Sequence, residues 1–223
     1  MMDITRRQLW LRWVIANSLG EMIGLGATFA VAAYYFTNMQ GQPGVESGMV
    51  GFLVAVASGS IEAAVVGLAQ WWAMHPIFLT ISLRSWCLAT LVGALLAYIL
   101  GYLPSTLMNL AEETTQAQPA AEPPQVVVML LAAGMGLVGG AVLSFAQWLV
   151  LRKTVQGSWI WIPANMAAWA VGMPLIFWGI DAAQKGQPAW QAVLVIAVSL
   201  LAAGAAVGAV HGAALVRLAK QPN

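Results

Sequence analysis

Glu21 and Glu62 are the residues of this sequence best placed to do chemistry, because each puts a carboxyl group inside a long apolar run. An ionisable side chain in such a run is a functional-site hypothesis by default. Counted from the basic ends of their runs at 1.5 Å per residue, they stand roughly 12 Å and 16 Å deep, so neighbouring helices would hold them at a similar level. Two carboxyl groups at one level could share a proton or a cation, or meet a partner subunit or a lipid headgroup. The preferred reading is structural: each glutamate is glue between helices, bonded to Asn17, Gln70 or a backbone carbonyl, with Asn17 one turn before Glu21 on the same face.

A second set of polar side chains, Asn17, Gln70, Thr90, Gln147, Asn165 and His211, falls near the basic ends of the apolar runs. Hydrogen bonds among them would fix helix register, which the spacing favours over a polar vestibule open at that end. A lone intramembrane histidine can also ligate haem iron or a chlorophyll magnesium, and Gly208 and Gly212 would leave room beside His211 for a macrocycle. The simpler reading makes His211 a substituted member of the glutamine set, so no cofactor is expected. Other chemistry is thin. Ser58-Gly59-Ser60 with His211 matches an intramembrane serine protease only loosely, and the sequence has no HExxH, Walker loop or metal-ligand cluster. Cys87 is the single cysteine, which excludes an internal disulfide.

The elements that must position these groups follow from composition. Of 223 residues, 61% are hydrophobic and 8% charged, against roughly a quarter charged in soluble domains. A separate soluble catalytic domain is excluded. Nine basic against eight acidic residues also exclude a nucleic-acid binder, since no basic stripe exists to neutralise phosphates. Apolar runs bounded by charge, Pro or Gly predict six transmembrane helices at about 13–36, 48–73, 85–103, 126–151, 160–180 and 190–216. Residues 37–47, 104–125 and 181–188 read as loops. The apolar connection 74–84 is expected to lie in the membrane interface.

Self-comparison groups the helices in pairs. Trp13-Val-Ile-Ala-Asn17 matches Trp86-Cys-Leu-Ala-Thr90 and Trp161-Ile-Pro-Ala-Asn165. Gly67-Leu-Ala-Gln70-Trp71 matches Ser144-Phe-Ala-Gln147-Trp148 and Gly208-Ala-Val-His211-Gly212. The predicted architecture is therefore all-α: one membrane domain of three parallel two-helix hairpins, at about 10–76, 83–152 and 158–218. Small residues at Gly67, Gly136, Gly140, Gly204 and Gly208 suit close helix packing in lipid, and the same reading extends to Gly134 and Gly139.

The fullest copy of the repeated ending, Gly140 to Arg152, resembles that of a group of uncharacterised multi-pass membrane proteins of cyanobacteria and other photosynthetic or filamentous bacteria. The resemblance implies a fold type and no activity. The chain departs from the pattern at His211-Gly212, where Gln-Trp is expected, and at His75-Pro76, where a basic residue is expected.

Arg6, Arg7, Arg12, Arg84, Arg152, Lys153, Arg217 and Lys220 fall on one side of this topology and only Lys185 on the other. By the positive-inside rule both termini are cytoplasmic, in a bacterial inner (plasma) membrane. Thr5-Arg6-Arg7-Gln8-Leu9 also resembles a twin-arginine export signal with a cleavage site near Ala30-Val31-Ala32, but Glu21 interrupts the would-be signal core. Trp10, Trp13, Trp71, Trp72, Trp86, Trp148, Trp159 and Trp161 are expected to form an interfacial belt at the cytoplasmic ends, with Trp178 and Trp190 on the far side.

The expected partners are the lipid bilayer and a membrane-protein partner or a second copy of the chain. The expected function is that of a non-enzymatic accessory, assembly or scaffold subunit; the alternative is a small transporter or channel using Glu21, Glu62 and the polar layer.

Overall fold

The computed structural model describes residues 5–39, 45–115 and 123–219. Six long helices carry the fold: α1 (Arg6–Met39), α2 (Val45–Met74), α3 (Leu83–Thr115), α4 (Gln125–Leu151), α5 (Trp161–Ala183) and α6 (Ala189–Leu218). Each is long and apolar enough to cross a membrane, and among the described residues there is no strand. Each helix packs on its chain neighbours and α1 closes on α6, so the six form a closed ring. The start of α1, the end of α6 and the connections after α2 and α4 share one end of the ring.

Local chemistry starts the helices. Thr5 and Gln8 form a reciprocal cap on α1, in which the Gln8 amide donates to the Thr5 hydroxyl (3.3 Å) and the Thr5 amide to Gln8 Oε1 (2.8 Å). Ser82 caps α3 through the Ser85 amide (3.2 Å). Pro124 and Pro188 precede α4 and α6, where a missing N–H costs nothing.

Three expectations about extent and placement are corrected. The segment 104–115, read as loop, continues α3. Pro104 removes one helical hydrogen bond, but the Leu, Met, Ala and Glu residues beyond it are good helix formers and the helix resumes. Residues 116–122 of that loop lie outside the described residues; the 37–47 connection is shorter than expected, since α1 runs to Met39 and α2 begins at Val45, with 40–44 outside the described residues. The connection after α2 is short and apolar. It folds under the ring and buries Phe78 and Ile81 against Met74.

The third correction concerns the tryptophans. Trp72, Trp159, Trp178 and Trp190 are exposed on the outer surface, where a belt would stand. Trp13, Trp86 and Trp161 are fully buried inside the ring, and Trp161 meets the other two edge to face at 5.8 Å and 6.2 Å between centroids. They project from α1, α3 and α5, helices that do not pack on one another, so the indoles span the interior. Burial of an aromatic of this size, together with quadrupolar edge-to-face contact, makes them a structural centre.

Glycine placement explains how the ring closes. A Cβ on Gly204 would stand 2.6 Å from the Asn17 carbonyl oxygen, and one on Gly140 2.7 Å from that of Asn165. Likewise Gly208 faces the Val14 Cα (3.0 Å) and Gly67 the Cys87 Cα (3.4 Å). Positions that correspond in the sequence comparison thus meet corresponding partners between hairpins. Gly136 is pressed against the Trp169 carbonyl. Gly134, grouped with the packing glycines from sequence, faces open space, and Gly139 has only Ala97 near it at 3.9 Å. Gly134 lies on the outer side of α4, where no second backbone approaches.

Candidate functional site

The predicted polar residues fall into two separate groups. The first lies at the centre of the ring. Gln147 Nε2 donates to Gln70 Oε1 (3.1 Å) and to Thr90 Oγ1 (3.0 Å), Gln70 Nε2 donates to Asn17 Oδ1 (2.8 Å), and Asn17 Nδ2 donates to the Trp13 carbonyl (2.7 Å). Asn165 makes the corresponding bond to the Trp161 carbonyl (2.9 Å). All are buried. The network links α1, α2, α3 and α4 across the interior, and a buried network is stabilising when its members are bonded.

Indole nitrogens complete this layer, a contribution not anticipated from sequence. Trp161 Nε1 donates to Gln147 Oε1 (2.9 Å) and Trp13 Nε1 to His211 Nδ1 (2.7 Å). His211 therefore stands where the glutamines stand in the other hairpins and accepts the equivalent bond. Trp86 Nε1 is buried without a partner, and the Gln70 oxygen accepts from Gln147. The room that a macrocycle beside His211 would need is filled: Trp13 and Trp161 lie against the imidazole at 5.5 Å and 5.3 Å, and a Cβ on Gly212 would come within 2.9 Å of Trp13.

One turn toward the terminal end, Met74, Leu151 and Leu215 close beneath the amides, joined by Leu9, Phe78, Ile81 and Leu218. All three of the first set have essentially no exposed surface. A vestibule open at this end is therefore replaced by an apolar plug, which forms because the turn after α2 tucks under the ring.

The second group is the carboxyl pair. Glu21 and Glu62 face each other within hydrogen-bonding reach between α1 and α2. The close contact comes from glycine: a Cβ on Gly24 would stand 2.9 Å from the Glu62 Cα. The Tyr98 hydroxyl, from α3, donates to Glu62 Oε2. Its ring covers Gly59, where a Cβ would meet it at 2.9 Å. Glu21 Oε2 is buried and has no hydrogen-bond partner. Neither Asn17 nor Gln70 holds a glutamate, since those two amides bond each other. Nearby, Thr28 Oγ1 donates to the Ser58 carbonyl (2.9 Å) and Ser58 Oγ to that of Ala55 (2.9 Å), so Ser58 stands apart from His211 and forms no nucleophile and base pair.

Tyr98 is not among the residues that the sequence singles out, although it bonds one of them. Its signal was depth: a tyrosine in mid-run is atypical, because amphipathic aromatics prefer run ends.

Among the described residues no group of three or more His, Cys, Asp or Glu could hold a metal ion. Cys87 is half-buried beside Gly67 and free. No family model matches the chain, and comparisons with curated proteins and with solved structures find no match.

Proposed function

We propose that this chain is a non-enzymatic accessory or assembly subunit of a membrane complex, in a bacterial inner membrane with both termini in the cytoplasm. The reading is carried by the interior: its amides and two of its indoles bond one another above an apolar plug, so the groups available for interaction lie on the outer surface. That surface is apolar along all six helices, with Leu53, Leu88, Leu130, Trp159 and Val193 among its exposed residues. It suits lipid together with a membrane-protein partner or a second copy of the chain. The orientation is supported by charge, since Arg12, Arg84, Arg152 and Arg217 stand at the terminal end and Lys185 at the other, paired there with Asp181 (3.3 Å). We read the three hairpins as copies of one unit. Purification from native membrane in mild detergent is expected to bring down a stoichiometric partner or a homo-oligomer; a clean monomer would count against the proposal.

A small transporter is the second reading, favoured by one observation, the unpartnered carboxyl oxygen of Glu21 beside Glu62. It expects Glu21→Gln and Glu62→Gln to abolish solute or proton flux in proteoliposomes while the protein still folds. Unaltered flux in both variants would reject it.

A further inference from the structure

Glu21 lies near the middle of its span, Arg6–Tyr35; Glu62 lies near the middle of Gly48–Met74, and Tyr98 near the middle of Leu83–Ala111. Three adjacent helices thus bring two carboxyls and a phenol to one point at half depth, as far from water on either side as this ring allows. Two carboxyl groups in contact there need positive charge between them. The described basic residues, Arg6, Arg7, Arg12, Arg84, Arg152, Lys153, Lys185 and Arg217, all stand near helix ends. From α3 the titratable groups beside the pair are Tyr98 and Tyr102, whose rings lie 5.9 Å apart. From α6, packed on the far side of α1, no titratable group faces it; His211 is engaged with Trp13 at the other level.

The architecture itself does not require this cluster. At the corresponding positions the other hairpins carry Ala94 and Trp169 for Glu21, Gly139 and Ala203 for Glu62, and Leu25 and Met173 for Tyr98. Leu25 and Ala203 pack in one apolar cluster, with Met173 and Trp169 against it. The corresponding site among α1, α5 and α6 therefore closes with apolar side chains where this one carries acid. Removing hydrocarbon contact for buried polar groups is costly unless they are bonded, and Glu21 Oε2 is buried without a bond.

We propose that Glu21 and Glu62, with Tyr98 donating to Glu62, form a proton-binding site at the middle of the membrane. The proton forms an O–H bond on one carboxyl and is accepted by the other, and release leaves the pair to be reprotonated from the aqueous phase. Tyr98 is a positioning residue: it holds Glu62 Oε2 and leaves Oε1 for Glu21. The site bears on the transporter reading without requiring it, because a proton can be bound and released by a subunit that moves no solute.

The test is infrared difference spectroscopy on the full chain in lipid nanodiscs, stepping pH over the range in which the protein stays folded. The expected result is a carboxylic-acid carbonyl band that is lost as pH rises and regained as it falls. That band should be absent from the Glu21→Gln/Glu62→Gln double variant and shifted in position by Tyr98→Phe. Single Gln variants, each keeping one carboxyl, should show a titrating band displaced from that of the wild-type pair, which keeps the test sound if the double variant does not fold. A band that stays constant across the pH range would overturn the proposal in favour of static glue. So would wild-type and variant spectra that do not differ, and loss of the band on adding sodium at fixed pH would assign the site to a metal cation instead. Titration without flux in proteoliposomes would keep the site and reject the transporter.

Discussion

Trp86 and Trp161 occupy corresponding positions in the sequence comparison, are equally buried, and differ in hydrogen bonding. The Trp161 indole donates to Gln147, whereas that of Trp86 has no acceptor. Removing a buried donor leaves its acceptor unsatisfied, at about 1–3 kcal/mol. Trp161→Phe is therefore expected to lower the unfolding midpoint in detergent more than Trp86→Phe, by about that free energy, because the two lose similar apolar area. Equal midpoints for the two variants would show that the indole bond does not matter. At this scale the sequence marks the amides and the carboxyls as polar groups inside apolar helices, but not which partner each takes. Asn17 illustrates why: it shares a face with Glu21, yet its side chain turns to the Trp13 carbonyl and to Gln70 on another helix.

Helix against helix, close approach is set by where a Cβ is missing. Gly140 and Gly204 each lie against a backbone carbonyl of the neighbouring helix, while Gly134 on α4 faces nothing within 4 Å. Gly140→Ala and Gly204→Ala should push α4 from α5 and α6 from α1, lowering thermal stability. Gly134→Ala should be neutral or stabilising by up to about 1 kcal/mol, through the helix preference for alanine over glycine. Melting of the three variants in the same detergent separates these outcomes. A small-residue motif read from sequence groups all of these glycines, because spacing reports that residues share a helix and not which of its sides meets a neighbour. The end of α3 has the same lesson: Pro104 reads as a boundary, and only the continued helix beyond it shows that one lost bond was tolerated.

For the whole molecule, the ring divides the tryptophans into an outer set and an inner set. Brominated lipids should quench fluorescence from Trp72, Trp159, Trp178 and Trp190 in single-tryptophan variants, and leave Trp13, Trp86 and Trp161 protected. Strong quenching of the inner set would mean that lipid reaches the ring centre. Helix number and the apolar length each helix needs to cross a membrane were legible in the sequence, because burial in lipid depends on local apolar length. The inward face of each helix was not. In a soluble helix the polar side marks the outside, but here lipid-facing and core-facing residues are equally apolar, so Trp13 and Trp72 read alike as belt residues. Tertiary packing alone decided that one points to the centre and the other to lipid. It also sealed the amide layer beneath Met74, Leu151 and Leu215, and it brought Tyr98 from a third helix to the carboxyl pair that two others supply.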